Sequence, residues 1–275
     1  MPYPEAGAAL RNALATTGGA LKVGILNSLA NRRDTECVPA VITALSDADP
    51  AVAQEAARSL GVIATPECAN ALTSALPQAD AGSGMLHAVC DGMLRCAEAF
   101  VARGNSADAI ALYDRLCGVP NAAHEVRTGA VRGAVLARGP QEGLPVLLEA
   151  VHGEDAACFK GALRTAREMD GGDAVTAALA EALPALSAER KIALMQVLGH
   201  RGGSAAGPVL LAEAQAGPED VRVAAVNALT RLAYTPALRL IAELAAAEDA
   251  PLTQAARNAL AYFPAPDGDA VLMVM

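Results

Sequence analysis

The chain has 275 residues, of which 53% are hydrophobic and only 3% aromatic, so Ala, Leu and Val must fill its core in thin, regular layers. Thirty acidic residues against 21 basic ones give a net charge of −9, which excludes nucleic acid as the default partner. The sequence contains no run of 18 apolar residues and no basic leader followed by an apolar stretch, which excludes a membrane span. The sequence therefore predicts a soluble chain in the cytoplasm, or in the periplasm if an export signal lies upstream.

A repeating helical hairpin is indicated by two apolar columns. One column marks the second helix of each hairpin, and most of its intervals are 31 to 33 residues. Its members are Leu29, Leu60, Met93, Ala134, Ala166, Leu198, Leu229 and Leu260. The other column marks first helices at Leu10, Val41, Leu72, Leu147, Leu179, Leu210 and Ile241. A fixed period of this size predicts a solenoid in which each hairpin covers the apolar face of the next.

One repeat, at about 68–140, is longer than the others. It contains a long helical pattern from Met85 to Arg103, a turn at Gly104, and a second pattern that begins at Ser106. The part near 94–116 resembles a tetratricopeptide hairpin. We predict a local irregularity here inside a single array that covers 1–275.

A recurring motif places Asp-Pro-x-Val at a helix start, as in 49–52, and follows it with a basic residue, Ala-Ala and Leu. Lys22, Arg127, Lys191 and Arg222 hold the basic position, whereas other copies have lost it. The motif resembles HEAT-like repeats of the short bacterial type, similar to those of phycobilin lyases. The resemblance implies an all-α, right-handed solenoid of about eight hairpins, whose second helices line the concave face.

Candidate catalytic and metal-ligating residues do not assemble into a site. His87 and Cys90 are three residues apart on one helix, but no second pair completes a metal site. His124-Glu125 resembles a single His–Glu motif of HEAT-like di-iron hydroxylases, which carry several in matched repeats. The six cysteines show no CxxC pair, which favours small buried side chains over metal or redox chemistry. We therefore predict no catalytic residue, no cofactor and no metal.

A polar ladder lies two residues before each second-helix marker, turned about 160° from the core position. Its members are Asn27, Arg58, Asp91, Arg132, Arg164, Gln196, Asn227 and Asn258. One helical turn further along, polar residues such as Arg95 and Arg231 extend the same face. We predict that this face binds a partner through Arg58, Arg95, Arg132, Arg164, Asn227 and Arg231. The alternative is a solvated helix face without a ligand.

The function predicted from these patterns is that of a non-catalytic protein-interaction scaffold. Because Arg binds carboxylates in a bidentate manner, an acidic protein or peptide is the expected partner. The alternative is an enzyme, or an enzyme accessory, of the bilin-lyase type.

The C-terminal residues suggest a piece of a longer array. Leu272 falls 31 residues after Ile241, in the first-helix column of a ninth hairpin. A solenoid normally ends in a capping repeat with a polar outer face. We therefore expect the isolated chain to self-associate through its uncapped ends, unless the C-terminal tail folds back on the eighth hairpin.

Overall fold

The computed structural model describes residues 4–80, 83–247 and 251–263, and these contain helices and no strand. The helices are α1 Pro4–Thr16, α2 Gly19–Asn31, α3 Val38–Ala44, α4 Pro50–Ile63, α5 Pro66–Ala75, α6 Gly84–Ala102, α7 Ser106–Cys117, α8 His124–His152, α9 Ala156–Glu168, α10 Gly172–Ala182, α11 Ala188–Arg201, α12 Gly207–Ala216, α13 Glu219–Arg231, α14 Leu238–Ala245 and α15 Pro251–Tyr262. Short 3-10 turns adjoin α3, α5, α10 and α14. The predicted all-α fold class is confirmed.

The helices pair into hairpins as the period predicts. Helix α8 is interrupted at Gly139, whose φ of 74° is left-handed, so its two segments belong to two successive hairpins. With that division, the described residues form eight hairpins. The predicted long helix is α6, and it packs directly on α7 as the tetratricopeptide resemblance requires. The predicted ninth hairpin, including Leu272, lies outside the described residues.

The chain divides into two compact units, residues 1–138 and 139–275. In unit 1 the second helices α2, α4 and α6 pack in series, and α3 and α5 cover them. In unit 2 the second helices α9, α11, α13 and α15 pack in series, and α10, α12 and α14 lie against them. All eight second-helix markers are buried, and so are the first-helix residues apart from the half-buried Leu10. That a single array covers 1–275 stays a prediction.

Acids and hydroxyls start the helices where the sequence places them. Asp49 caps α4 by accepting a hydrogen bond from the Ala51 amide at 2.9 Å, and Pro50 occupies the first turn, where its missing N–H is harmless. Asp155 caps α9 in the same way, through the amides of Ala157 and Cys158. These caps fix where each hairpin turns, and so align successive second helices.

The basic position of the repeat motif has a structural explanation. Lys22 on α2 donates to the Asp47 carboxylate at 2.7 Å, and Lys191 on α11 donates to Glu213 on α12 at 2.6 Å. Arg222 on α13 instead donates to the carbonyl oxygen of Ala214, near the end of α12. In each case a second helix is tied to the end of a neighbouring first helix. Lys22 and Lys191 therefore link consecutive hairpins, whereas Arg222 links the two helices of one hairpin.

We expect Lys191→Met to lower the free energy of unfolding by about 1–2 kcal/mol, because it leaves the carboxylate of Glu213 without its charged donor. That carboxylate is only 11% exposed. The double variant Lys191→Met with Glu213→Leu should recover part of the loss, as urea unfolding of the three variants would show. Arg239→Met provides the control, since Arg239 pairs with Glu243 on the surface at 92% exposure and should change stability little. Equal losses for Lys191→Met and Arg239→Met would contradict the fastening role.

No helix within the described ranges is both long and apolar enough to cross a lipid bilayer.

Candidate functional site

A cleft of about 760 Å³ lies on the second-helix face of unit 2. We call it the second-helix cleft. Its walls come from α11, α13 and α15, with Arg167 contributed by α9. Small and medium apolar side chains form the floor: Ile192, Met195, Val223, Ala224, Ala228 and Ala259. Short alanine side chains leave room between the helices, so the cleft follows from sequence composition as much as from helix geometry.

Three carboxamides line the second-helix cleft at matching positions of successive helices. They are Gln196 on α11, Asn227 on α13 and Asn258 on α15, and all three are exposed. Each lies two residues before a buried marker, so the core contact of that marker turns the amide toward solvent. We call this set the carboxamide column. An amide side chain both donates and accepts hydrogen bonds, so the column can pair with a peptide main chain.

Cationic side chains accompany the column. Arg231 lies one helical turn after Asn227, and Arg167 stands at the α9 end of the cleft. Within the described residues neither guanidinium forms an ion pair with a carboxylate. Asp220 is the acid of the cleft, and one of its oxygens accepts a hydrogen bond from the Val221 amide at 2.9 Å. The cleft therefore has a small positive balance in a chain of net charge −9.

An aromatic side chain lies at the α15 end of the cleft. Tyr262 is 81% exposed, although its ring lies one turn after Asn258 on a well-packed helix. Tyrosine and arginine are both common anchors in protein interfaces, because both residue types contribute much contact area per side chain. His200 occupies the equivalent position on α11.

The polar ladder of unit 1 is internally paired. Arg58 donates to Glu55 on its own helix at 3.5 Å, and Asn27 on α2 donates to the same carboxylate at 3.3 Å. Arg95 donates to Asp91 at 2.9 Å. These two arginines, predicted as binding residues, are thus already matched with carboxylates. Each guanidinium therefore already has a carboxylate partner, so it gains less from a ligand carboxylate than an unpaired arginine would.

The other four residues predicted to bind the partner do not all lie together in the structure. Arg132 is exposed in unit 1. Burial, and to a smaller extent Glu98, raise the pKa of Tyr113 to about 12, and the charge of Arg132 opposes this rise. Arg164 is exposed in unit 2, where it donates to Glu168 at 3.4 Å, and it does not line the cleft. Asn227 and Arg231 do line it. The cleft thus contains two of the six residues predicted to bind the partner.

The sequence prediction left several polar residues of the cleft out of its site. Gln196, Asn258, His200 and Tyr262 belong to the predicted face, but the choice of arginines over amides left them out. Their signal was the same 31-residue spacing that carries Asn227. Arg167 and Asp220 have no such signal, because they lie outside both columns and reach the cleft only through the packing of α9 and α13.

The residues considered for metal or redox chemistry are dispersed. His87 is exposed whereas Cys90 is buried, so the two do not face one space. In the described part of the chain, no three His, Cys, Asp or Glu side chains gather as a metal site would need. Burial raises the pKa of the Cys37 and Cys90 thiols to about 11 and that of Cys96 to about 12, which keeps them protonated. Cys117 is exposed and Cys158 is half-buried, contrary to the prediction of buried cysteines, whereas the other four are buried.

A family comparison agrees with this architecture. Residues 7–83 match the family model of HEAT repeats. The HEAT resemblance predicted from the repeat motif is confirmed. The match covers the first hairpins of unit 1 and reaches the start of α6.

Solved structures with the same fold include two proteins much longer than this chain. A Kap121p mutant is 12% identical with a TM-score of 0.63, and the match covers 95% of this chain and 33% of that protein. Kap95p, solved with RanGDP, is 11% identical with a TM-score of 0.61, and the match covers 94% and 40%. The chain therefore spans well under half the length of either.

A third structure is the complex of CpcE and CpcF of the phycocyanin lyase from Nostoc. It is 16% identical, with coverage of 94% of both chains and a TM-score of 0.41. At these identities the Kap121p and Kap95p matches establish the fold alone. A comparison with curated protein sequences gave no match.

Proposed function

We propose that this chain is a non-catalytic interaction scaffold that binds an acidic segment of a partner protein in the second-helix cleft. The observation that carries the proposal is the cleft itself, with its carboxamide column and with Arg231, which pairs with no carboxylate of the described residues, on the face predicted to bind. A cleft lined by hydrogen-bonding amides over an apolar floor suits a peptide, whose main chain is polar and whose side chains are mixed.

Charge supports an acidic partner. Arg167 and Arg231 exceed Asp220 in the cleft, whereas the chain as a whole has 30 acidic and 21 basic residues. A basic segment would be attracted to most of the surface without preference for this face. An acidic segment is repelled elsewhere and attracted here, which gives specificity and a faster association rate.

The HEAT-type fold is compatible with this use. Kap95p, whose hairpins this chain resembles, binds RanGDP in its solved structure. Fold likeness does not transfer a partner, because the same helical array serves many functions. The partner class is therefore argued from the cleft alone.

We expect Arg231→Glu to weaken binding of a fluorescein-labelled octaglutamate peptide about tenfold, because it replaces attraction with repulsion in the cleft. Fluorescence anisotropy at low salt would measure the affinity, and higher salt should weaken it. Arg239→Glu is the matched control, since it makes the same charge change on the first helix α14 at a site that does not line the cleft. Equal effects of the two variants would show only a general charge effect and would contradict the proposal.

The enzyme alternative has its own distinct outcome. Co-expression of the chain with a bilin and an acceptor subunit would leave colour covalently on the acceptor if the chain were a lyase. Under our proposal the acceptor stays colourless.

A further inference from the structure

We propose that unit 1 carries a second binding site, which takes an aliphatic carboxylic acid. The hydrocarbon chain of the ligand lies in an apolar pocket of about 550 Å³, and its carboxylate pairs with Arg115. We call this cavity the loop pocket. Its apolar wall is formed by Leu76, Pro77, Ala79, Leu86, Val119 and Pro120. All of these residues belong to unit 1, whereas the second-helix cleft lies in unit 2, so the proposal does not depend on the proposed function.

The loop pocket is a product of the irregular repeat. Eight residues, 76–83, separate α5 from α6, and six residues, 118–123, separate α7 from α8. The other connections from a first helix to its second helix have two to five residues. The two long connections belong to consecutive hairpins, and residues of both line the pocket. The longer repeat therefore creates a cavity that the regular hairpins have no loops to build.

The wall of the loop pocket suits a hydrocarbon chain better than a peptide. Leu86 and Val119 are buried, and Leu76 and Ala79 are half-buried. Aliphatic side chains neither donate nor accept hydrogen bonds, and proline lacks the backbone N–H. A peptide main chain laid against this wall would leave polar groups unpaired, whereas a hydrocarbon chain gains from leaving water. The volume also falls within the range of about 300–1,000 Å³ that is typical of small-molecule sites.

Two charged residues line the loop pocket, and one of them is already paired. Asp114 accepts a hydrogen bond from Arg138 at 2.6 Å. The guanidinium of Arg115, by contrast, has no carboxylate partner in the part of the chain that the structure describes. The pocket therefore presents one uncompensated positive charge beside an apolar wall. A carboxylate can accept two parallel hydrogen bonds from a guanidinium, so a monocarboxylic acid with an aliphatic chain matches both features.

Two amphiphiles of opposite charge test the ligand class on the full chain. Isothermal titration calorimetry would compare sodium decanoate with decyltrimethylammonium, which has the same hydrocarbon chain, both below their micelle concentrations. We expect decanoate to bind at one site and about tenfold more tightly than the cation. No binding of decanoate, or equal affinity for the two amphiphiles, would overturn the proposal.

Two variants test whether the ligand occupies the loop pocket. Arg115→Gln should weaken decanoate about tenfold and should not weaken the cation, whereas Arg239→Gln, on an exposed site of α14 outside the pocket, should change neither. Ala79→Phe should fill the pocket and weaken both amphiphiles, whereas Ala174→Phe, on an exposed site of α10, should not.

Affinity separates binding from a structural role of Arg115. Arg115 lies in the last turn of α7, where a cation stabilises the C-terminal end of the helix. If that were its only role, Arg115→Gln would lower the thermal unfolding midpoint and leave the affinity for decanoate unchanged, which would overturn the proposal. Arg115 is exposed, so this variant should fold and the test does not depend on the folding of Ala79→Phe.

Discussion

Leu229→Ala is expected to lower the free energy of unfolding by about 2–5 kcal/mol. Leu229 has no exposed surface and lies on α13, which packs against α11, α12 and α15. The substitution removes buried methyl groups and leaves a cavity that the rigid helices around it fill only in part. Urea unfolding monitored by circular dichroism would measure the loss.

The position of the damage is as informative as its size. In a solenoid each hairpin contacts only its neighbours, so hydrogen-exchange protection should fall most in the hairpins formed by α10 to α15. Leu21→Ala is the control, because Leu21 is 64% exposed and the same truncation should cost little there. A uniform loss of protection from α1 to α15 would contradict nearest-neighbour coupling.

The hairpins could be predicted from sequence because each one repeats the same physical requirement. Every second helix needs a buried residue against its neighbours, so the markers recur with the hairpin length, and all eight are buried. The third and fourth hairpins were the exceptions to the regular interval of 19 residues between the two columns. In the third, Leu72 lies 21 residues before Met93, and in the fourth, the buried Leu116 of α7 lies 18 residues before Ala134. A fixed interval of 19 residues misses a helix that is shifted by one residue, although the apolar pattern of that helix still predicts it.

The sequence predicts which face of each second helix is exposed, but it does not fully predict which charged residues on that face are available to a ligand. Geometry places the residue two positions before each marker on the side away from the core. Whether an arginine there is available depends on acids three or four residues away on the same helix. Glu55 before Arg58 and Asp91 before Arg95 were visible in the sequence as such pairs, and the structure forms both. These acids were the signal that unit 1 offers fewer available cations than its arginines suggest.

The second-helix cleft could not be predicted, because it depends on the space between helices. Arg167 lines the cleft from a position outside both columns. Ala224 and Ala228 leave room for the cleft because their side chains are short. Periodicity assigns residues to faces but does not give the width of a groove. Side-chain packing between neighbouring helices sets that width, so the sequence of a single helix does not determine it.

Gly92→Ala is expected to destabilise unit 1 by about 1–3 kcal/mol, even though alanine is the better helix former. A Cβ at Gly92 on α6 would lie 2.6 Å from the carbonyl oxygen of Ala57 on α4, and one at Gly61 would lie 2.5 Å from the Cα of Gly92. Backbone atoms on both sides cannot rotate away, so α4 and α6 would have to separate. That separation would loosen the layer that also buries Leu60 and Met93.

Gly24→Ala is the matched control for this close approach, and we expect the opposite sign. Gly24 lies on α2, where an added Cβ would meet no atom within 4 Å outside its chain neighbours and the backbone of its own helix, and its exposed helical position gains from alanine. The gain should be about 0.5–1 kcal/mol, because alanine loses less conformational entropy than glycine on folding. Thermal unfolding should therefore move the midpoint down for Gly92→Ala and up for Gly24→Ala. If both variants were stabilised, α4 and α6 could not be in contact at Gly61 and Gly92, and the register of the third hairpin against the second would be wrong.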